Sequence, residues 1–279
     1  AIMAAVAGSV AAGIYVASSD LASKQAYQPL LRAGQAALWL GPGTTASQIE
    51  QITDAATPAL PVASSVVLRT PNDCGTSADC TTYQAVLPTS QQCPAPPRQA
   101  TLADMRAWAA DPRCTSQPTP FLLGSALVGG SDALRALIGH DDPQADAVLS
   151  AGGAVVFDQR YLDGGRVTIE RDHDDASTGQ DAADDRTSLP AVFVPATTAP
   201  QVLLSPAAAR TIGAEPAPAG LLFDTTRTPT EAEESKADKA LALIDDQLTV
   251  HVERGYQGHL DLQLLFLIIG AAIVTARKT

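Results

Sequence analysis

Two apolar, almost chargeless stretches bracket this chain, and they constrain it more than any other feature. AIMAAVAGSVAAGIYVA, residues 1–17, has no charged side chain, and LQLLFLIIGAAIVTARKT, residues 262–279, becomes basic only at Arg277 and Lys278. Leu264 to Ile269 are apolar on every side of a helix, leaving no polar face for water. A helix needs about twenty such residues to cross a bilayer, and both stretches fall somewhat short of that. The reading is a partial transmembrane helix at 1–17 and another at 260–276, the rival being an Ala-rich helix buried in a water-soluble core. Ala4, Gly8 and Ala12, and likewise Ala5, Ser9 and Gly13, make small-residue faces that allow close helix packing in lipid. If Arg277 and Lys278 mark the cytoplasmic end, the middle of the chain stands outside the cytoplasm.

The middle is polar and acidic. The formal net charge of −12 offers no basic stripe for phosphates, which argues against a nucleic-acid partner. Cys74, Cys80, Cys93 and Cys114 all fall in one Pro/Ser/Thr-rich stretch. An even, clustered set of this kind predicts two disulfides and an oxidising compartment. Three pairings are possible, and nearest neighbours, Cys74–Cys80 and Cys93–Cys114, are expected. Zinc is the alternative, but the stretch has no C-x-x-C pair and no histidine.

Strand and helix signals then alternate. Ser18–Gly34 reads as a helical stalk disturbed by Pro29. Gln35–Leu40 reads as a strand, followed by a helix capped at Thr44 or Thr45 and a second strand over Val62–Arg69, a β-α-β unit. Near the other end, a strand over Gly220–Thr225, a helix capped by Thr230 with Leu241 and Ile244 facing the core, and a strand over Gln247–Gly255 make another. Two such units sharing one sheet predict an α+β, ferredoxin-like (porter-type) membrane-proximal lobe, built from 18–69 and 201–259. Residues 70–200 form an inserted second mixed α/β lobe with the cysteine-rich loop. Within it, helices are expected over Leu102–Pro112, from a cap at Ser131 to Gly139 and from Pro143. Ala154–Asp158 and Arg166–Arg171 are expected to pair around the Asp163-Gly164-Gly165 turn. Asp172–Asp185 reads as a solvated acidic loop that fails the spacing of a calcium loop.

No catalytic signature is present. The histidines His140, His173, His251 and His259 are scattered, and no zinc-protease motif, nucleophile elbow or phosphate-binding loop occurs. His140-Asp141-Asp142 reads as a capping turn rather than a metal site. No catalytic, cofactor-binding or metal-ligating residue is assigned, and no cofactor is expected on this chain.

VERGYQ, Val252–Gln257, set directly before the second apolar stretch, resembles the actinobacterial FtsX-like (MacB-like) ABC transporter permeases. AVAGSVAAGIYVASSD, AVVFDQRYLDGGRVTI and GLLFDTTRTPTEAEE resemble further segments of that family. The resemblance implies an extracytoplasmic domain between membrane helices and a separate cytoplasmic ABC ATPase subunit as partner. It also implies a dimer of permeases in membrane lipid, with export of a substrate or mechanical activation of a cell-wall hydrolase as output. A full member carries further membrane helices that this sequence does not include. The Gly255-Tyr256-Gln257-Gly258 junction is expected to act as a hinge, with Gly255 and Gly258 bending and Tyr256 anchoring at the membrane surface; the plainer alternative is a strand end beside an ordinary interfacial tyrosine. Two other functions stay open: a membrane-anchored extracellular binding or sensor module without an ATPase, and a secreted enzyme with an unrecognised site.

Overall fold

The structure is a computed structural model and describes residues 18–258 except 42, 73–79, 97–99, 116–120, 175–184 and 197. Both apolar ends, Cys74 and residues 175–184 of the acidic loop therefore lie outside the described residues. Within those residues no helix is long and apolar enough to cross a membrane. The chain divides into two compact units: Leu30–Glu253, and a second drawn from residues on either side of it, Ala1–Pro29 and Arg254–Thr279. In the second unit a helix, α1, covers residues 18–26 and stops ahead of Pro29.

Leu30–Glu253 is a mixed α/β unit built on one ten-stranded sheet. Its strands are β1 (Ala36–Trp39), β2 (Val62–Thr70), β3 (Cys80–Val86), β4 (Ala126–Val128), β5 (Ala154–Val156), β6 (Arg166–Asp174), β7 (Asp185–Phe193), β8 (Val202–Leu204), β9 (Ala217–Thr225) and β10 (His251–Val252). They lie in the order β10-β1-β9-β2-β4-β8-β5-β7-β6-β3. The neighbours β4/β8 and β5/β7 are parallel, and every other pair is antiparallel. Residues 70–200, expected as a second lobe, thus add their strands to the same sheet beyond β2.

Both β-α-β units form, each with a strand of the other inserted. β9 lies between β1 and β2, and β1 lies between β9 and β10. The connecting helices are α2 (Ala46–Ala56) and α8 (Glu231–Leu241). Each starts with a reciprocal cap: Thr45 with Gln48, and Thr230 with Glu233. Their buried residues Ile52, Ala56, Ala237 and Leu241 pack on Leu38, Leu221 and Phe223 from one face of the sheet. The opposite face carries Ala37, Leu68 and Leu222 and is covered by α5 (Ser131–Ile138) and α6 (Pro143–Ser150). The strands β4, β5 and β8 are buried along their whole length because helices cover both faces there.

Four expectations are corrected. β5 does not pair with β6 around Asp163–Gly165; it is inserted between β8 and β7, and β6 pairs with β7 and β3. Val155 is wholly buried between two helical layers, so β5 gains more from an interior place than from a local hairpin. The closing strand is only His251–Val252, although Leu248, Val250 and Val252 are all buried. Ile244, expected in the core, lies beyond the end of α8 and is 37% exposed. The cap of α5 is Gly130 rather than Ser131, and the helix ends as expected at Gly139, whose φ is +85°.

Candidate functional site

The VERGYQ segment holds the one charged residue among the buried side chains of the described residues. Glu253 is 3% exposed, although it follows the buried Val252 and strand alternation would turn it outward. A buried carboxylate is costly unless hydrogen-bonded. It accepts the backbone N–H of Leu30 at 2.9 Å and of Leu31 at 3.4 Å. Its backbone completes the attachment: Gly34 N–H donates to Glu253 O at 2.8 Å, and Glu253 N–H donates to Gln35 O at 2.9 Å. The chain enters this unit at Leu30 and leaves it at Glu253, so one side chain joins entry and exit.

A second polar cluster fixes the entry segment to the sheet and to α5. Arg32 donates through Nε and Nη2 to Ala136 O at 3.2 and 3.1 Å, and Nη2 also contacts Asp224 Oδ1 at 2.5 Å. Gln35 is 4% exposed, and its amide donates to Ala136 O at 2.7 Å and to Asp224 Oδ1 at 2.8 Å. Ala136 O is one of the last four carbonyls of α5, which have no partner inside the helix. Gly139 suits this point because its φ of +85° is one that a residue with a Cβ rarely adopts, and the Arg32 guanidinium lies beside it. Entry segment, β9 and the C-terminal end of α5 are therefore one hydrogen-bonded block.

The flanking unit contains the expected hinge residues. Gly255 has φ +74°, a bend that glycine adopts without strain. The Tyr256 hydroxyl donates to Asp20 Oδ1 at 2.7 Å, and its ring meets Tyr27 edge-on with centroids 5.9 Å apart. The Asp20 hydrogen bond, with some burial, raises the Tyr256 pKa above its ordinary value. Gly258 is close to the same aspartate, since a Cβ there would lie 3.1 Å from Asp20 Oδ1. Gly255, Tyr256 and Gly258 thus fall together, and Tyr256 and Gly258 share Asp20 as a neighbour, a partner that sequence reading missed.

Cys93 and Cys114 form a disulfide. Cys80 is also disulfide-bonded, and its expected pairing with Cys74 lies outside the described residues. Trp108 on α3 (Leu102–Ala109) donates its indole N–H to Pro94 O, next to Cys93, at 2.7 Å. α3 is followed by a single helical turn, α4 (Pro112–Thr115), which carries Cys114. Asp111, beside it, is held down at about 2 by hydrogen bonds from the Arg113 guanidinium and backbone.

His140-Asp141-Asp142 is a capping turn, as expected: Asp142 Oδ1 accepts the N–H of Gln144 and Ala145 at 3.0 Å each, and Asp141 pairs with Arg135. Among the described residues no group of three or more metal-ligating side chains is present. The chain matches no protein-family model, no curated protein and no solved structure.

Proposed function

We propose that this chain is the extracytoplasmic portion of an ABC transporter permease subunit of the FtsX-like/MacB-like kind, coupling ATP hydrolysis by a partner ATPase to export or to mechanical signalling. The observation that carries the reading is the Glu253 attachment to Leu30 and Leu31. A domain inserted between two membrane helices and moved by them needs its two passages held at one rigid point. Otherwise the passages fray and the displacement is lost in loose chain. Glu253 supplies that point, and Arg32, Gln35 and Asp224 extend it into the sheet and α5.

Other features support the same reading. The order β10-β1-β9-β2, with α2 and α8 on one face, supports reading this end of the sheet as a ferredoxin-like lobe. The Cys93–Cys114 bridge suits an oxidising, extracytoplasmic setting. The apolar ends at 1–17 and 260–276 are taken as the membrane helices, with Arg277 and Lys278 cytoplasmic. Catalysis is assigned to the partner ATPase, and no cofactor to this chain.

The test is purification of the full chain from its own membrane in mild detergent. The reading predicts a co-purifying ABC ATPase subunit and vanadate-sensitive ATP hydrolysis. A complex with a sensor kinase and no ATPase, or a chain that purifies alone without hydrolysis, overturns it in favour of a membrane-anchored binding or sensor module.

A further inference from the structure

β4 and β8 are adjacent and parallel, yet the helices that follow them go to opposite faces of the sheet. After β4, α5 packs Leu134 and Leu137 with Leu127 and Leu203. After β8, α7 (Pro206–Thr211) packs Ala208 and Ala209 with Val128 and Leu204. Where neighbouring parallel strands diverge in this way, their loops splay and a crevice opens outside the carboxyl ends, the common ligand position in open α/β sheets.

Such a crevice is present. A cavity of about 670 Å³ lies at this point, bounded by Val128 and the Gly129–Ala133 turn, by Pro206 and Arg210 of α7, and by Val66 and Arg69 of β2. That size suits a small organic molecule. Gly129 is required for the shape: a Cβ there would lie 2.4 Å from the Ala133 Cβ, so only glycine lets α5 start this close behind β4. A register shift between Leu68 and Arg69 in the β2/β9 pair bends the strand at the crevice, a device that re-aims a side chain.

The charges indicate what fits. The chain has 30 acidic and 18 basic side chains, and Arg32, Arg113, Arg135, Arg160, Arg186 and Arg227 each hold a carboxylate. Arg69 and Arg210, both lining the cavity, have no side-chain hydrogen-bond or ion-pair partner among the described residues. Asp132 is the one carboxylate in the lining, so the crevice has two guanidinium groups against one carboxylate. Val66, Val128 and Pro216 supply apolar wall.

We propose that this crevice binds a small organic oxyanion, a carboxylate or phosphate monoester on a compact apolar body, with Arg69 and Arg210 as its counter-charges. Guanidinium groups recognise both headgroups through paired N–H donors. The apolar body rests on the valines and proline, and Asp132 accepts a hydrogen bond from any donor the ligand carries. The site lies wholly within Leu30–Glu253 and does not depend on an ATPase partner.

Titration of the detergent-solubilised full chain with phenylacetate, phenyl phosphate and neutral phenylacetamide tests this by calorimetry. Saturable binding of at least one acid and none of the amide is expected, and the tighter acid identifies the headgroup. Arg69→Gln and Arg210→Gln should each weaken that binding about tenfold or more, and Arg210→Lys less than Arg210→Gln. Arg106→Gln, on α3 and outside the lining, should leave it unchanged, and all four variants should keep the parent circular dichroism. Equal binding of amide and acids, no saturation by either acid, or unchanged affinity in both glutamine variants overturns the proposal.

Discussion

The side chain of Glu253 accepts the backbone N–H of Leu30 at 2.9 Å, joining residues 223 positions apart. Because Glu253 is 3% exposed, removal of its carboxylate leaves the amides of Leu30 and Leu31 without this acceptor. Glu253→Ala should therefore destabilise the unit by about 2–4 kcal/mol, and Glu253→Gln, which keeps an acceptor oxygen, by about half as much or less. Urea denaturation of the three proteins side by side checks the order; equal stabilities would contradict it.

The Cys93–Cys114 bridge closes a loop with a sequence separation of 21 and holds the segment that carries Trp108. Replacing both cysteines by serine should cost about 3 kcal/mol. The Trp108 indole N–H should lose its protection from solvent exchange, while amides of β1 and β9 keep theirs, and NMR exchange separates the two sites.

Glu233 caps α8 and is held by Arg227, with N–H···O distances of 2.8 and 2.6 Å. The Arg227 hydrogen bonds, with those from the Thr230 backbone and side chain, lower its pKa from 4.5 to about 2. A lowered carboxylate stabilises the fold above its unfolded-state pKa and ceases to do so as pH falls through the folded value. The cap of α8 should thus hold at neutral pH and weaken between about pH 4.5 and 2, and Glu233→Gln should remove that dependence. Following the Thr230 amide and Glu233 carboxyl signals across this range checks both statements.

The two-sided burial of the sheet can be tested at paired sites. Leu127 is wholly buried among residues of α5, α6, β2 and β8, whereas Leu243 is 89% exposed beyond α8. Leu127→Ala should lower stability by about 2–5 kcal/mol and Leu243→Ala by about 0.5 or less. Thermal melts distinguish them readily.

Local chemistry was the legible part. Thr45, Thr230, Asp142 and Gly139 each bound a helix for reasons contained within a few residues, and their helices were expected in place. The two β-α-β units followed from the same local signals. Asp163-Gly164-Gly165 misled, because its turn is locally favourable while the place of β5 is decided by β7 and β8, distant in sequence. Arg32, Gln35 and Asp224 carried no sequence signal, being about 190 positions apart with partners fixed only by the sheet order. Strand alternation after Val250 and Val252 favours an outward Glu253, and nothing local reveals the Leu30 amide it serves. The crevice did have a trace, a Gly129-Gly130 pair between an apolar strand and a helix.

Gly255 takes φ +74°, and Tyr256 is tied to Asp20. Gly255→Ala should cost about 1 kcal/mol through backbone strain. Tyr256→Phe should break the Asp20 tie while keeping the ring against Tyr27, and should raise proteolysis within 254–258 without changing the stability of Leu30–Glu253.

The central claim is that entry and exit of the large unit are locked together by one buried carboxylate. Native-state hydrogen exchange at the Leu30 and Leu31 amides tests it most directly. Both should exchange only through an opening as rare as that which exposes the β1 and β9 amides, and both should lose protection together in Glu253→Ala. Rapid exchange in the parent protein, or protection that survives the substitution, would contradict it.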